Sequence, residues 1–186
     1  ASMSHFANAY ADPDRAASYS TLGFPATYSL AFRDLPALFE AHGVPPRSGG
    51  RAYPDTVARV KADDGTNAGA GRDPGARPGV VPRRALDFGC GAGRSSRFLR
   101  GLGYDVTGVD ISPAMLARAR ELDDEPGAGV RYLLIDDDPA ALPPGPFDLV
   151  LAAYPFDNIP GVDHRVALLK GLRERLAGSS SGRPAE

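Results

Sequence analysis

The residues best placed to do chemistry lie in one short segment, Asp87-Phe-Gly-Cys-Gly-Ala-Gly93, directly after an apolar run and before a helical stretch. Glycines at such a junction let the backbone approach a ligand closely, and the helix behind them offers unpaired N–H groups. A glycine-rich loop alone is a weak signal. It gains weight from Asp110, at the end of the next strand-like run and 17 positions beyond Gly93. A carboxylate in that place accepts hydrogen bonds from both hydroxyls of a ribose. Loop and acid together imply a ligand that carries adenosine.

The spacing of the glycines narrows the choice. A dinucleotide fingerprint, G-x-G-x-x-G, begun at Gly89 puts Arg94 at its third glycine, and begun at Gly91 puts Ser96 there. An NAD(P)-dependent oxidoreductase is thereby disfavoured, and the chain shows no substrate domain to go with one. The spacing present, D-x-G-x-G-x-G, resembles the first motif of class I S-adenosylmethionine (SAM)-dependent methyltransferases, and the resemblance continues in order along the chain. Val106-Thr-Gly-Val-Asp-Ile-Ser-Pro-Ala-Met-Leu116 looks like the second motif, in which Asp110 would hold the ribose and Ile111 would pack on the adenine. Asp136-Asp-Asp-Pro-Ala-Ala-Leu-Pro143 resembles the segment after the third strand. Counting back from Leu142-Pro143 makes Asp138 the adenine-binding acid with Pro139 beside it, the register among the three aspartates staying open by one. Phe147-Asp-Leu-Val-Leu-Ala-Ala-Tyr-Pro-Phe-Asp-Asn158 resembles the fourth-strand motif, where Ala153 and Tyr154 would wall the reaction cleft.

The resemblance implies SAM as cofactor, held by Asp87, Gly89, Cys90, Gly91, Gly93, Arg94, Asp110, Ile111, Asp138, Pro139, Ala153 and Tyr154. It also implies in-line transfer of the sulfonium methyl to a small-molecule acceptor, chiefly by alignment of the two reacting atoms. No residue is singled out as a general base, so catalytic residues stay unassigned. Plainer readings stand beside these. Cys90 reads as a small packing residue and His164 as a solvated surface residue. Asp136 and Asp137 read as loop charges, and Tyr10, Tyr19 and Tyr28 as core. Arg94 divides evenly between the SAM carboxylate and the solvated helix start, as Asp157 does between capping a turn and touching substrate.

The elements that must position these residues follow from pattern. Residues 1–43 carry scattered aromatics and read as an N-terminal helical cap. Asp34 is expected to cap a helix begun by Leu35-Pro36, with Leu35, Leu38, Phe39 and His42 on one face and Gly43 as its stop. Residues 44–82 are rich in Gly and Pro and read as a flexible insertion, with a helical turn at 56–62. Strands are expected at 85–88, 105–109, 130–135 and 147–153, with helices at 95–100, from Ser112-Pro113 to about residue 122, and at 163–176. The last helix should present Val166, Leu169, Leu172 and Leu176. Alternating strand and helix define an α/β fold: a Rossmann-like, doubly wound, mainly parallel sheet. The SAM-binding core occupies 83–177, and 178–186 reads as a disordered tail.

After Leu176 the sequence offers only Ala-Gly-Ser-Ser-Ser-Gly-Arg-Pro-Ala-Glu, where the family continues with three more strands. The core is therefore expected to be incomplete, with the fourth strand an apolar edge open to self-association. A truncated product, or a remnant that binds SAM without catalysis, is the alternative this creates.

Composition bounds the rest. The 186 residues suit one domain, and 42% hydrophobic residues suffice for a core. A net charge of -2 argues against nucleic acid or an anionic membrane as partner. The single cysteine rules out an internal disulfide, and three scattered histidines do not make a metal site. The sequence shows neither a membrane-spanning run nor a secretory signal, so a cytoplasmic setting is expected. Its richness in Ala, Gly, Arg and Pro is that of a GC-rich bacterial gene.

Overall fold

The computed structural model describes residues 12–21, 32–46, 83–123 and 129–178. Most of the expected insertion, the turn at 56–62, the aromatics Phe6, Tyr10, Phe24 and Tyr28, and the tail beyond 178 lie outside the described residues. In chain order the elements are α1 (Pro13–Thr21), α2 (Leu35–Ala41), β1 (Arg84–Phe88), α3 (Arg94–Gly101), β2 (Asp105–Asp110), α4 (Pro113–Glu121) and β3 (Arg131–Leu134). A 3-10 turn at Pro139–Ala141, β4 (Leu149–Leu151), a second 3-10 turn at Pro155–Asp157 and α5 (Val162–Glu174) complete it.

The four strands form one parallel sheet in the order β3-β2-β1-β4. Central strands of such a sheet are buried on both faces and read as near-continuous apolar runs. On one face, Ala85 and Val106 pack with Phe98 and Leu99 of α3 and with Phe32 and Phe39 from the N-terminal region. Phe32 stacks on Phe98 at 4.8 Å between centroids. Tyr132 joins this layer with Leu116 and Ala119 of α4, and α1 lies against α4. On the other face, Leu86, Phe88 and Val109 meet Leu142, Phe147, and Leu168 and Leu172 of α5. Helices on both faces make the sheet doubly wound. The switch point, where ligands bind in open α/β sheets, falls between β1 and β4.

Local chemistry accounts for some boundaries and corrects others. Ser112 caps α4 as expected, accepting from the Met115 N–H at 3.3 Å with Pro113 in the first turn. Asp34 does not cap α2, because its carboxylate is taken by the neighbouring Arg33 guanidinium at 2.8 Å through both oxygens. The inward face of α2 holds Phe39 and half-buried Leu35, while Leu38 and His42 point outward. α5 is rotated relative to its expected stripe: Leu168 is 2% exposed and Leu169 51%. Gly171 explains the phase, since a Cβ there would meet Leu142 Cδ1 at 3.1 Å, so the helix packs most closely along that line. β4 is shorter than expected, ending at Leu151, because the chain turns sharply at Tyr154. The stretch after α5 is not wholly without pairing. Phe147 donates to the Arg175 carbonyl and accepts from the Ala177 N–H, both at 2.7 Å, a single parallel bridge beside β4.

Candidate functional site

β1 ends in a loop whose three glycines, Gly89, Gly91 and Gly93, all have positive φ, at 71°, 52° and 77°. Only glycine takes this run without strain. Gly93 also has no room for a side chain, since a Cβ there would collide with the Tyr132 hydroxyl. The loop is tied down from β2. Gly89 and Cys90 both donate to the Val109 carbonyl, at 2.9 and 3.0 Å. Gly91 N–H donates to Asp110 Oδ2 at 2.8 Å, and Ser112 N–H to Oδ1 at 2.9 Å. Each oxygen of Asp110 keeps acceptor capacity beyond these bonds. Burial pushes the Asp110 carboxyl above its ordinary range, against the opposing pull of the Ser112, Gly91 and Ile111 amides.

Beneath the loop lies Asp87, fully buried at the end of β1. Its Oδ2 accepts from Ser95 Oγ at 2.7 Å and Ser96 Oγ at 2.5 Å, while Oδ1 has no partner among the described residues. Burial raises its pKa to about 6, the two serine hydroxyls working against that and the charge of Asp110 adding to it.

A cavity of about 350 Å³ opens above the strand ends, in the range of small-molecule sites. Asp110, Ile111, Gly89, Gly91, Ala153 and Tyr154 line it, as expected members of one site. A second cavity of about 80 Å³ lies along the loop, bordered by Cys90, Arg94, Ser95 and again by Gly89, Gly91, Ala153 and Tyr154. Asp87 and Gly93 border neither; they support the loop from below. Asp138 and Pro139 also stand apart from both cavities. The Asp138 carboxylate caps the following 3-10 turn, accepting from the Ala140 N–H at 2.8 Å, and Pro139 packs toward Gly171. Asp136 and Asp137 border the main cavity in their place.

Three wall residues had escaped their sequence reading. His164, read as a surface residue, is half-buried in the cavity wall. Asn158 shares that wall. Tyr19, read as core, reaches from α1 to border both cavities. The missed signal was the Pro155-Phe-Asp-Asn158 turn, which brings the α5 N-terminus over the strand ends. Tyr154 has φ 69°, the one non-glycine residue with positive φ among those described, and is 57% exposed. A bulky residue held there is strained, and such strain gathers at functional sites. Cys90 is buried, and burial pushes its thiol well above the usual range, away from nucleophilic use. Among the described residues no cluster of His, Cys, Asp and Glu fits a metal ion, and no helix is long and apolar enough to cross a membrane.

Parallel sheet, switch-point cleft, glycine loop and an acid ending the second strand together define an adenosine-binding α/β domain. The profile of a family described as a methyltransferase domain matches residues 85–178. The chain belongs to this family, the class I SAM-dependent methyltransferase domain. It is 35% identical over 85 residues to the ubiquinone biosynthesis O-methyltransferase of Thiobacillus denitrificans, covering 45% of this chain and 37% of that protein. To the demethylmenaquinone methyltransferase of Thermus thermophilus it is 38% identical over 90 residues, covering 47% and 40%. A crystal structure of a SAM-dependent methyltransferase from Mesorhizobium loti superposes with a TM-score of 0.45 at 32% identity, over 54% of this chain and 45% of that one. The matched stretch thus spans about two fifths of the length of these curated relatives.

Proposed function

We propose that the cleft between β1 and β4 binds SAM and that the protein transfers its methyl group to a small-molecule acceptor. The observation that carries this reading is Asp110, a carboxylate already oriented by two backbone N–H groups and bordering a cavity of suitable size. In this reading Asp110 accepts from the ribose hydroxyls and Ile111 packs on the adenine. Asp136 and Asp137, rather than Asp138, supply the acid on the adenine side. The glycine loop gives close backbone approach to the amino-acid end, where the small cavity and Arg94 lie. When bound, SAM supplies an activated methyl on a cationic sulfur. The chain's own part is to orient: Ala153 and Tyr154 form the wall that an acceptor meets, with Tyr19 reaching across from α1. The largely apolar lining, including Phe88, Ile159 and Leu168, favours a ring-bearing acceptor over a highly charged one. The relatives' names point to O-methylation in ubiquinone biosynthesis and to demethylmenaquinone, so hydroxylated rings are the acceptors to try first.

Calorimetric titration of the full chain with SAM, S-adenosylhomocysteine and NAD tests the cofactor assignment. SAM and S-adenosylhomocysteine should saturate, and NAD should give no heat. Asp110→Ala should weaken SAM by roughly a hundredfold, as loss of charge-assisted hydrogen bonds worth about 3 kcal/mol implies. A folded chain that binds neither SAM nor S-adenosylhomocysteine would sink the proposal.

A further inference from the structure

α5 carries a polar ring on its buried face. The buried stripe of the helix runs through Leu168, Gly171 and Leu172, and the close approach of Gly171 to Leu142 fixes that phase. His164 stands four residues before Leu168, so it lies on the same face, one turn nearer the helix start. Gly161, with φ 79°, lets the chain turn into the helix there. The imidazole is thereby half-buried in the wall of the main cavity, which Asn158, Ile159 and Pro160 share. Its nitrogens have no hydrogen-bond partner among the described residues. Packing alone gives no reason for a polar ring at that place, where an aliphatic side chain would continue the stripe.

The other polar side chains of the cavity divide by chemistry. Asp110, Asp136 and Asp137 are the carboxylates that the adenosine reading already employs. Tyr19 and Tyr154 bring phenolic hydroxyls and Asn158 an amide, neither of which takes a proton from a hydroxyl in neutral water. Asp157, Asp163 and Arg165 stand near His164 in the chain but do not border the cavity. The turn packed on α5 presents apolar Pro139 and Leu142 to it. Histidine is the side chain suited to exchange protons near neutrality.

We propose that His164 is the general base of the methyl transfer, taking the hydroxyl proton of a ring-bearing acceptor held against Tyr154. The inference rests on the reading above, in which SAM occupies the cleft. Phe88, Ile159 and Leu168 make the surroundings apolar, so a hydroxyl there needs a base within reach to lose its proton. The acceptor oxygen forms a bond to the methyl carbon as the carbon–sulfur bond breaks, that electron pair staying on sulfur. The hydroxyl proton moves to a ring nitrogen of His164, and the half-exposed imidazolium returns it to water. Removing the proton as the oxygen attacks keeps positive charge from building on the acceptor.

Two catechols of different acidity separate a base from a merely structural residue. Nitrocatechol is largely ionised in mildly alkaline buffer and needs no base, whereas catechol is not ionised and does. With the full chain and SAM, His164→Gln should lower kcat for catechol roughly a hundredfold and leave nitrocatechol within about threefold. KM should change little for either. A second readout needs no turnover. In slightly acid buffer, nitrocatechol added to the chain loaded with S-adenosylhomocysteine should gain phenolate absorbance over the free compound, and His164→Gln should abolish that gain. Should the variant fail to fold, the wild-type spectrum decides alone. Equal losses on both catechols, an unchanged rate with catechol, or no phenolate gain in the wild type overturns the proposal while SAM binding stands. A wild-type chain that binds SAM yet methylates neither catechol overturns it as well. A folded chain that binds neither SAM nor S-adenosylhomocysteine overturns this inference together with the reading beneath it.

Discussion

The two walls of the cleft are held in different ways. The β1–β2 wall is a lattice of short backbone bonds: Gly89 and Cys90 to Val109, Gly91 and Ser112 to Asp110, with Asp87 fastened from below by two serines. The β4–α5 wall has a three-residue strand, a tyrosine in a left-handed conformation and two short 3-10 turns. Its support is side-chain packing by Leu168 and Leu172 on Phe147 and Leu142. One wall is fixed by local geometry that tolerates no change of residue type. The other is fixed by burial, which depends on size and shape more than on identity. The walls touch at Gly89, where a Cβ would come within 2.5 Å of Pro155 Cβ.

Substitutions should break the walls unequally. Gly93→Ala combines a φ of 77° with a collision at the Tyr132 hydroxyl. It should cost about 3 kcal/mol of stability, read by chemical denaturation. Adding Tyr132→Phe should recover part of the loss; a purely additive double variant would mean that the contact is not what forbids the side chain. On the other wall, Leu168→Ala should cost about 3 kcal/mol and Leu169→Ala less than about 0.5, since only Leu168 is buried. A larger loss for Leu169→Ala than for Leu168→Ala would show that α5 sits in the phase its sequence first suggested. Tyr154→Gly should act in the opposite direction: it relieves the left-handed strain and adds about 1 kcal/mol of stability while removing the aromatic face from both cavities. A loss of stability there would mean that the tyrosine ring packs more than it strains.

The same contrast decides what could be read from sequence. The glycine loop and Asp110 stand out because their work is local: residue type and spacing state the backbone conformation and the position at a strand end. The parallel sheet with helices on both faces followed from alternation of apolar runs. The aspartates of the 136–138 run were harder. Among three identical neighbours, the choice between Asp138 and the pair Asp136 and Asp137 turns on which carboxylate caps the 3-10 turn, and that depends on where the turn begins. The phase of α5 was illegible because Val166 and Leu169 are as apolar as Leu168, and only the close approach at Gly171 separates them. His164 and Tyr19 reach the cleft through the placement of whole helices, which no spacing within their own segments encodes.

Strand order carries a last consequence, for the protein as it is made. β4 docks beside β1, although β2 and β3 come between them in the chain; the Arg84 N–H, for instance, donates to Asp148 across 64 residues. During synthesis the glycine loop and Asp110 leave the ribosome first and can pair as β1 and β2 while the opposite wall is still untranslated. The cavity between them exists only once α5 has emerged and closed a long-range contact, the slow kind of step in folding. A nascent chain therefore holds half a cleft for some time before it holds a site.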